Sequence, residues 1–556
     1  MTGMEELVIY TFPFVAYVVF ATTKLLHAIP ATVLAGFLLL PPRYAFNLPL
    51  LPTIDKANVI ALTVAGLALA FAPRPGRAAA PAFDHVAAQE MLPGLLPRER
   101  WALVCVVSLV LVVPVGTVLT NRSGLVLADG FVPGLTFRDI GNSVWLFGLP
   151  LLTLLTARKF LGGEAGQRTV LYALLLAGLF YSLPTLLEIR LSPQLHNWIY
   201  GGFPHSWIQH LRGGGFRPVV FMTHGLVLAL FLCMSLLAAL ACLRVADFDR
   251  RWLYAVAAGH LFLVLVLSKS LGALMIALVL APLIMLCSVR TQLLAAAAIA
   301  IFVTTYPAVR GAGVNPFGTV AHVVEAAGQP SRASSLRFRL AQEEILTRRG
   351  WEKPLFGWGG FGRAMDFEAE GRHASVRDGL WLITFGERGV VGFLAYFGLF
   401  AFPLVLLAAR SRRIEVSPAT TALAVILAAN LLDLIPNSGS TVVTMLIAGA
   451  LIGRLEHARQ TAPAGATQAA TAPVGGERTY GRSAPQAARA RAGVGAGLRA
   501  GGAMRTASAA RAQPALPVAP ARPRGPAQRA GPTEVSRARD VRYTRFPAGP
   551  PSSEGE

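Results

Sequence analysis

The side chains that could do chemistry in this 556-residue chain gather in two stretches. The first, 188–218, carries Arg190, Arg212 and Arg217, the histidines His196, His205 and His210, and the tryptophans Trp198 and Trp207. Gly213, Gly214 and Gly215 lead into Arg217. Glycines let a backbone approach a ligand closely and turn its N–H groups toward an anion. A plainer reading makes this an interfacial loop, with its tryptophans in the aromatic belt and its arginines meeting headgroups. The histidines read as loop or interface residues, and Glu188 as the partner of a nearby arginine. The second stretch, 310–379, holds Arg339, Glu343, His373 and Asp378. Leu336 to about Arg348 reads as a helix on which Arg339 and Glu343, four residues apart, face each other. Pro354 and the cluster Gly357, Gly359 and Gly360 end it in a tight loop. Glycine and aromatic residues side by side there could form a wall for a sugar, whose CH faces stack on rings.

These loops are expected to be held by transmembrane helices. Hydrophobic residues make up 54% of the chain and charged ones 14%, against about 25% charged in soluble proteins. A charge at the bilayer centre costs about 2.5–3.5 kcal/mol or more, so a spanning chain keeps its charges in loops and tails. Crossing about 30 Å of hydrocarbon at about 1.5 Å per residue takes roughly 17–25 apolar residues. The runs that qualify are 7–23, 28–41, 57–73, 101–119, 141–157, 168–187, 219–242, 252–268, 270–289, 292–309, 380–409, 417–435 and 439–454. The second is short and closed by Pro41 and Pro42, so a re-entrant segment is its alternative. The fold class expected is therefore an all-α integral membrane protein of 12–13 transmembrane helices.

Arginine and lysine mark alternate connections: Arg74, Arg77, Arg98 and Arg100; Arg158, Lys159 and Arg168; Arg244, Arg250 and Arg251; Arg290; then Arg410, Arg412 and Arg413. Under the positive-inside rule these are cytoplasmic, which puts 120–140 and the two large loops, 188–218 and 310–379, on the far side. Glu5 and Glu6 stand where a signal peptide would be basic, and they predict an outward N-terminus.

The membrane domain is thus predicted over 1–456. From 457 to 556 the composition shifts to Ala, Gly, Pro and Arg, with too little apolar surface to offset chain entropy. A disordered cytoplasmic tail is expected, carrying much of the formal +21 charge toward anionic headgroups. Its arginines stand singly with few aromatics between them, so no nucleic acid is expected as a partner. Cys105, Cys233, Cys242 and Cys287 all lie in apolar runs without metal-ligand spacing and read as packing residues.

In order along 170–410, three features resemble the O-antigen polymerase and O-antigen ligase superfamily of bacterial membrane glycosyltransferases. They are GGGFRPVVFMTHGLVLALF, with Arg217 at that family's arginine and His224 near its usual Asn; LSKSLGALMIALVLAP; and RFRLAQEEILTRRGWEKPLFGWGGFGRAM followed by DGLWLITFGERGVVGFL. The chain departs from the pattern at Leu271, where the family often has Arg and where Lys269 is the nearest cation. It departs again at Asp378 and Gly379, which occupy the place of a His-Asn pair.

The resemblance implies transfer of an oligosaccharide or polysaccharide from a polyprenyl diphosphate carrier to an acceptor sugar hydroxyl, in surface polysaccharide assembly at the bacterial inner membrane. No cofactor and no metal is implied. Arg217, then Arg339, Arg190 and Arg212, would hold the diphosphate, since a guanidinium binds phosphate with two parallel hydrogen bonds and keeps its proton. Asp378 or His373 would act as general base, with a helix N-cap as the alternative role for Asp378. The implied partners are the carrier-linked donor, a glycan or lipid-linked acceptor, membrane lipids and other polysaccharide assembly proteins. Two other classes stand beside this reading: a polytopic transporter, and a non-catalytic component of a polysaccharide export complex. The nearly charge-free interiors of most spans weigh against the first.

Overall fold

The computed structural model describes residues 3–45, 53–73, 85–127, 130–203, 210–212, 214–326, 328, 330–365 and 378–460. The predicted tail lies outside them, apart from its first four residues, and so do His205, Trp207 and His373.

In chain order the helices are α1 (Met4–Thr22), α2 (Leu25–Leu39), α3 (Lys56–Ala70), α4 (His85–Glu90), α5 (Arg100–Val107) and α6 (Val113–Thr120). Then come α7 (Phe137–Phe160), α8 (Glu164–Leu191), α9 (Leu195–Tyr200), α10 (Gly225–Val245), α11 (Phe248–Leu267) and α12 (Leu271–Leu286). The last are α13 (Val289–Gly311), α14 (Gly318–Ala326), α15 (Pro330–Trp351), α16 (Leu380–Arg410), α17 (Pro418–Asp433) and α18 (Val442–Gln460). Two small antiparallel hairpins complete the described residues: β1 (Leu125–Leu127) with β2 (Gly130–Val132), and β3 (Leu211–Arg212) with β4 (Gly215–Phe216).

Eight helical segments are long and apolar enough to cross a bilayer, and the chain is accordingly a multi-pass membrane protein. One of them, Arg100–Thr120, is α5 and α6 joined by a π turn at Ser108–Val112. Four more apolar helices, α2, α3, α12 and α17, are shorter. At 15 or 16 residues they reach only about 22–24 Å, less than the hydrocarbon thickness. Nearly every residue of α17 is buried, as is most of α10; helices apolar on all sides either face lipid or form the centre of the bundle.

Where helices approach most closely, glycine is the reason. Gly449 and Gly453, four residues apart on α18, lie against the backbone of α7, where a β-carbon would stand 2.1 Å from the Leu154 carbonyl oxygen and 2.5 Å from that of Arg158. Small residues at this spacing let two backbones meet in a lipid environment, where packing and not water exclusion drives association.

Four of the basic residues assigned to one side of the membrane, Arg98, Arg158, Lys159 and Arg410, lie in one set of contacts that joins α5, α7, α16 and α18. Arg158 at the end of α7 is fully buried and ion-paired with Glu456 of α18. The same carboxylate accepts the backbone N–H of Arg98 at 2.8 Å. Glu99 holds both Arg410 and Arg459 at 3.0 Å, and Lys159 donates to the Leu92 carbonyl.

Three boundaries differ from the sequence expectation. The stretch 219–224 is not part of a span; it is a loop tied down at its base, and α10 begins only at Gly225. The 380–409 run is not continuous, because Gly389 (φ 63°, ψ −167°) breaks α16 in a conformation open essentially only to glycine. Helix α18 continues through His457–Gln460, where the tail was expected to start, because Arg459 still has a partner in Glu99.

Candidate functional site

Glu188, near the end of α8, organises the first loop. Its carboxylate accepts the backbone N–H groups of Val219 (2.8 Å), Val220 (2.7 Å) and Leu195 (3.1 Å). The arginine partner expected for it is therefore replaced by three amides that the folding loop leaves unpaired. Tyr181 adds a fourth tie, its hydroxyl accepting from Phe221 N–H. This anchor sets Arg217 two residues upstream. Arg217 is buried, its backbone N–H donating to the His210 carbonyl and its guanidinium to the Lys269 carbonyl at 3.2 Å. Gly225 must lack a side chain here, since a β-carbon would stand 2.6 Å from the Arg217 side chain.

Lys269 forms the other side of this corner. It lies between α11 and α12 with φ +56°, a left-handed conformation that costs a residue with a β-carbon about 1–2 kcal/mol. Its Nζ sits against Gly215, where any β-carbon would come within 2.3 Å of it. The Arg217 guanidinium and the Lys269 backbone thus meet from loops 52 residues apart, with Lys269 Nζ beside Gly215, two residues before Arg217. The triple glycine serves a local purpose here: Gly214 (φ +70°) lies in the β3–β4 turn, and Gly215 admits the lysine. His224 caps α10, its Nδ1 accepting from Leu226 N–H, which leaves the proton on Nε2. His210 packs between Phe203 and His224. His196, whose Nδ1 bonds the Gly202 carbonyl, is held below its ordinary pKa by burial.

Arg190 is exposed at the end of α8 with no ion pair among the described residues. Arg212 lies on β3; its side chain is outside the described ones.

In the second loop α15 runs from Pro330 to Trp351, longer than expected, and the facing pair predicted on it does not form. Glu343 turns inward to Arg310 of α13 (2.5 Å) and the Tyr306 hydroxyl (2.8 Å), while Arg339 turns to Asp378 (3.0 Å). The reason is tertiary: α15 packs on α13 and α16, so Glu343 reaches the nearly buried Arg310 instead of Arg339, while on the exposed side Glu344 and Arg348 still pair four residues apart. Burial raises the Glu343 pKa, opposed by the Tyr306 hydrogen bond and Arg310. The N-cap of α16 is Gly379, so Asp378 does not cap it; it meets Arg339 in a pair with both side chains over a third exposed. The structure therefore joins two predicted site residues, Arg339 and Asp378, and joins the Arg217 guanidinium to the backbone carbonyl of Lys269, two residues before Leu271.

The loop after α15 docks backbone to backbone on the break in α16. Val390 N–H donates to the Pro354 carbonyl (2.7 Å), and Trp358 and Gly359 N–H donate to the carbonyls of Gly386 and Glu387 (both 2.9 Å). Arg363, buried, clamps the loop by donating to the carbonyls of Ser123, Pro133 and Trp358. Trp358, one of the aromatic residues of the expected sugar wall, is interior: the Arg349 guanidinium lies 3.6 Å and the Lys353 ammonium 4.4 Å from its ring centre. Burial, with Arg363 and Arg349 nearby, lowers the Lys353 pKa. The aromatic ring left open is Phe361, 70% exposed.

Sequence reasoning passed over Glu387 and Arg388, which line a pocket beside this break. Their signal was a charged pair followed by glycine inside an apolar run. It also passed over Lys56, whose Nζ donates to the Leu40 carbonyl at 2.7 Å and lies over the Phe37 ring. Among the described residues no group of three or more metal-ligating side chains occurs, and all four cysteines are free. No protein family, curated protein or solved structure matches the chain.

Proposed function

We propose that this protein is a membrane glycosyltransferase that moves a glycan from a polyprenyl diphosphate carrier to an acceptor sugar hydroxyl. The end of the bundle bearing the large loops would face away from the cytoplasm, and α18 with the basic tail would face inward, by the positive-inside rule. The observation that carries the reading is the corner where Arg217 and Lys269 meet. As the bond to the carrier breaks, negative charge builds on the diphosphate. Positive groups fixed in advance stabilise that charge without reorganising. Arg217 offers a planar fork and Lys269 a compact charge beside it, so the departure at Leu271 leaves the site with two cations. The Arg339–Asp378 pair, exposed enough to exchange partners, supplies a carboxylate able to accept the acceptor hydroxyl's proton.

A transporter reading draws on His260, which shares a 2.8 Å hydrogen bond with Ser182 between α11 and α8. No further titratable residue joins that pair among the described residues. A single polar contact between two helices acts as interhelical glue.

The backbone of Lys269 offers a test of the charge assignment. Lys269→Gly relieves the left-handed strain, so melting temperature should hold or rise, while transfer activity should fall; Lys269→Arg should retain more activity than glycine does. A glycine variant with full activity would remove the lysine from the site. The reading as a whole is tested by deleting the gene in its host and profiling carrier-linked and surface glycans. Accumulated single repeat units identify a polymerase, accumulated long carrier-linked chains identify a ligase, and an unchanged profile overturns the proposal.

A further inference from the structure

Two pockets follow one another along the cleft between the α5–α6 span and α7. The one nearer the loops, about 270 Å³, is polar on one side, with Asp139, Asn142, Ser143, Glu387 and Arg388, and carries Phe361 at its edge. The other, about 360 Å³, is wholly apolar and is lined by Val106, Val110, Leu111, Gly148, Leu151 and Leu155, among others. Two local features open this cleft. The π turn at Ser108–Val112 carries one extra residue in a turn of helix, a form that recurs at functional sites. Gly148 presents no side chain to fill the space opposite.

We propose that this cleft binds an amphiphile with an uncharged, hydroxyl-rich headgroup, a glycolipid by chemical class. Polar and apolar linings divide the cleft as such a molecule is divided. From Asn142 to Leu155 the helix rises about 20 Å, more than the roughly 15 Å hydrocarbon depth of one leaflet, so a tail lies along it at full length. The headgroup class follows from charge. Two carboxylates face one guanidinium, and that guanidinium is already engaged: Arg388 stacks on Phe147 at 3.5 Å and lies 3.4 Å from Glu387. A phosphate would meet net negative charge. Asn142 and Ser143, half-buried with no hydrogen-bond partner for their side chains among the described residues, suit hydroxyl groups. The open Phe361 ring suits the CH face of a sugar. The inference concerns binding alone and holds whether or not the chain transfers glycans.

The test uses the full chain in phosphatidylcholine nanodiscs and a dodecyl glucoside bearing a photoreactive diazirine on its alkyl chain. Labelling should concentrate on 106–111 and 148–155 and be competed by unlabelled dodecyl glucoside. Gly148→Leu should weaken labelling about tenfold. The backbone admits a side chain there, because the nearest atom to a β-carbon at Gly148 is 3.9 Å away. Asn142→Ala combined with Ser143→Ala should weaken competition by the glucoside. Labelling spread evenly over the outward helices and indifferent to Gly148→Leu would overturn the site. Competition by phosphatidylglycerol equal to that by glucoside would overturn the headgroup class.

Discussion

Arg217→Ala should abolish glycan transfer while the protein still accumulates in the membrane, with a fall in turnover of about 10²–10³ or more, the scale for removing one preorganised charge-stabilising donor. The loop that carries Arg217 is held by Glu188, which bonds Val219 and Val220 directly and does not depend on the guanidinium. Folding and catalysis can therefore be separated at this position. Arg217→Lys sharpens the result: it keeps the charge but loses the fork and its reach to the Lys269 carbonyl, so activity should lie between alanine and the natural residue. Measurement of transfer from a carrier-linked donor by purified, reconstituted protein decides it. An alanine variant that reaches normal levels and retains full activity would sink the carrier-binding role.

The second large effect is expected at the opposite end of the bundle and concerns stability. Arg158→Ala leaves Glu456 almost wholly buried without its cation, a change that costs about 3–5 kcal/mol when a buried pair is broken from one side. Glu456 also receives backbone N–H groups from Arg98 and Glu99, so the loop before α5 should loosen with it. The double substitution Arg158→Met with Glu456→Met should be much less costly than Arg158→Ala alone, because no buried charge is then left without a partner. Thermal unfolding in detergent, compared across the single and double variants, reads the difference. Equal losses in both would show that packing and not charge pairing holds α7 to α18.

Much of the architecture is legible in composition because the bilayer is so exacting a solvent. Apolar runs of sufficient length identify most of the helices, and two of the arginines in the alternating clusters, Arg158 and Arg410, pair with the neighbouring carboxylates Glu456 and Glu99. The glycine and aromatic content of 351–362 marks a tight loop, which the structure contains. The resemblance singles out Arg217, and Lys269 beside the departure at Leu271 proves to be its neighbour.

What a local pattern cannot hold is the choice among distant partners. Glu343 has Arg339 one helical turn away yet binds Arg310, because the packing of α15 on α13 decides which pair is buried. The loop's aromatic residues read together as a wall for a sugar, but the loop docks on the break at Gly389 and one of them, Trp358, lies under Arg349 and Lys353. The cleft beside that break is assembled from residues up to 279 positions apart, Leu109 and Arg388 being the farthest. Sequence by itself determined which segments form long apolar helices, since that follows from the free energy of transferring each segment alone. Tertiary structure decided which polar groups meet, since that depends on how helices, once inserted, pack against one another.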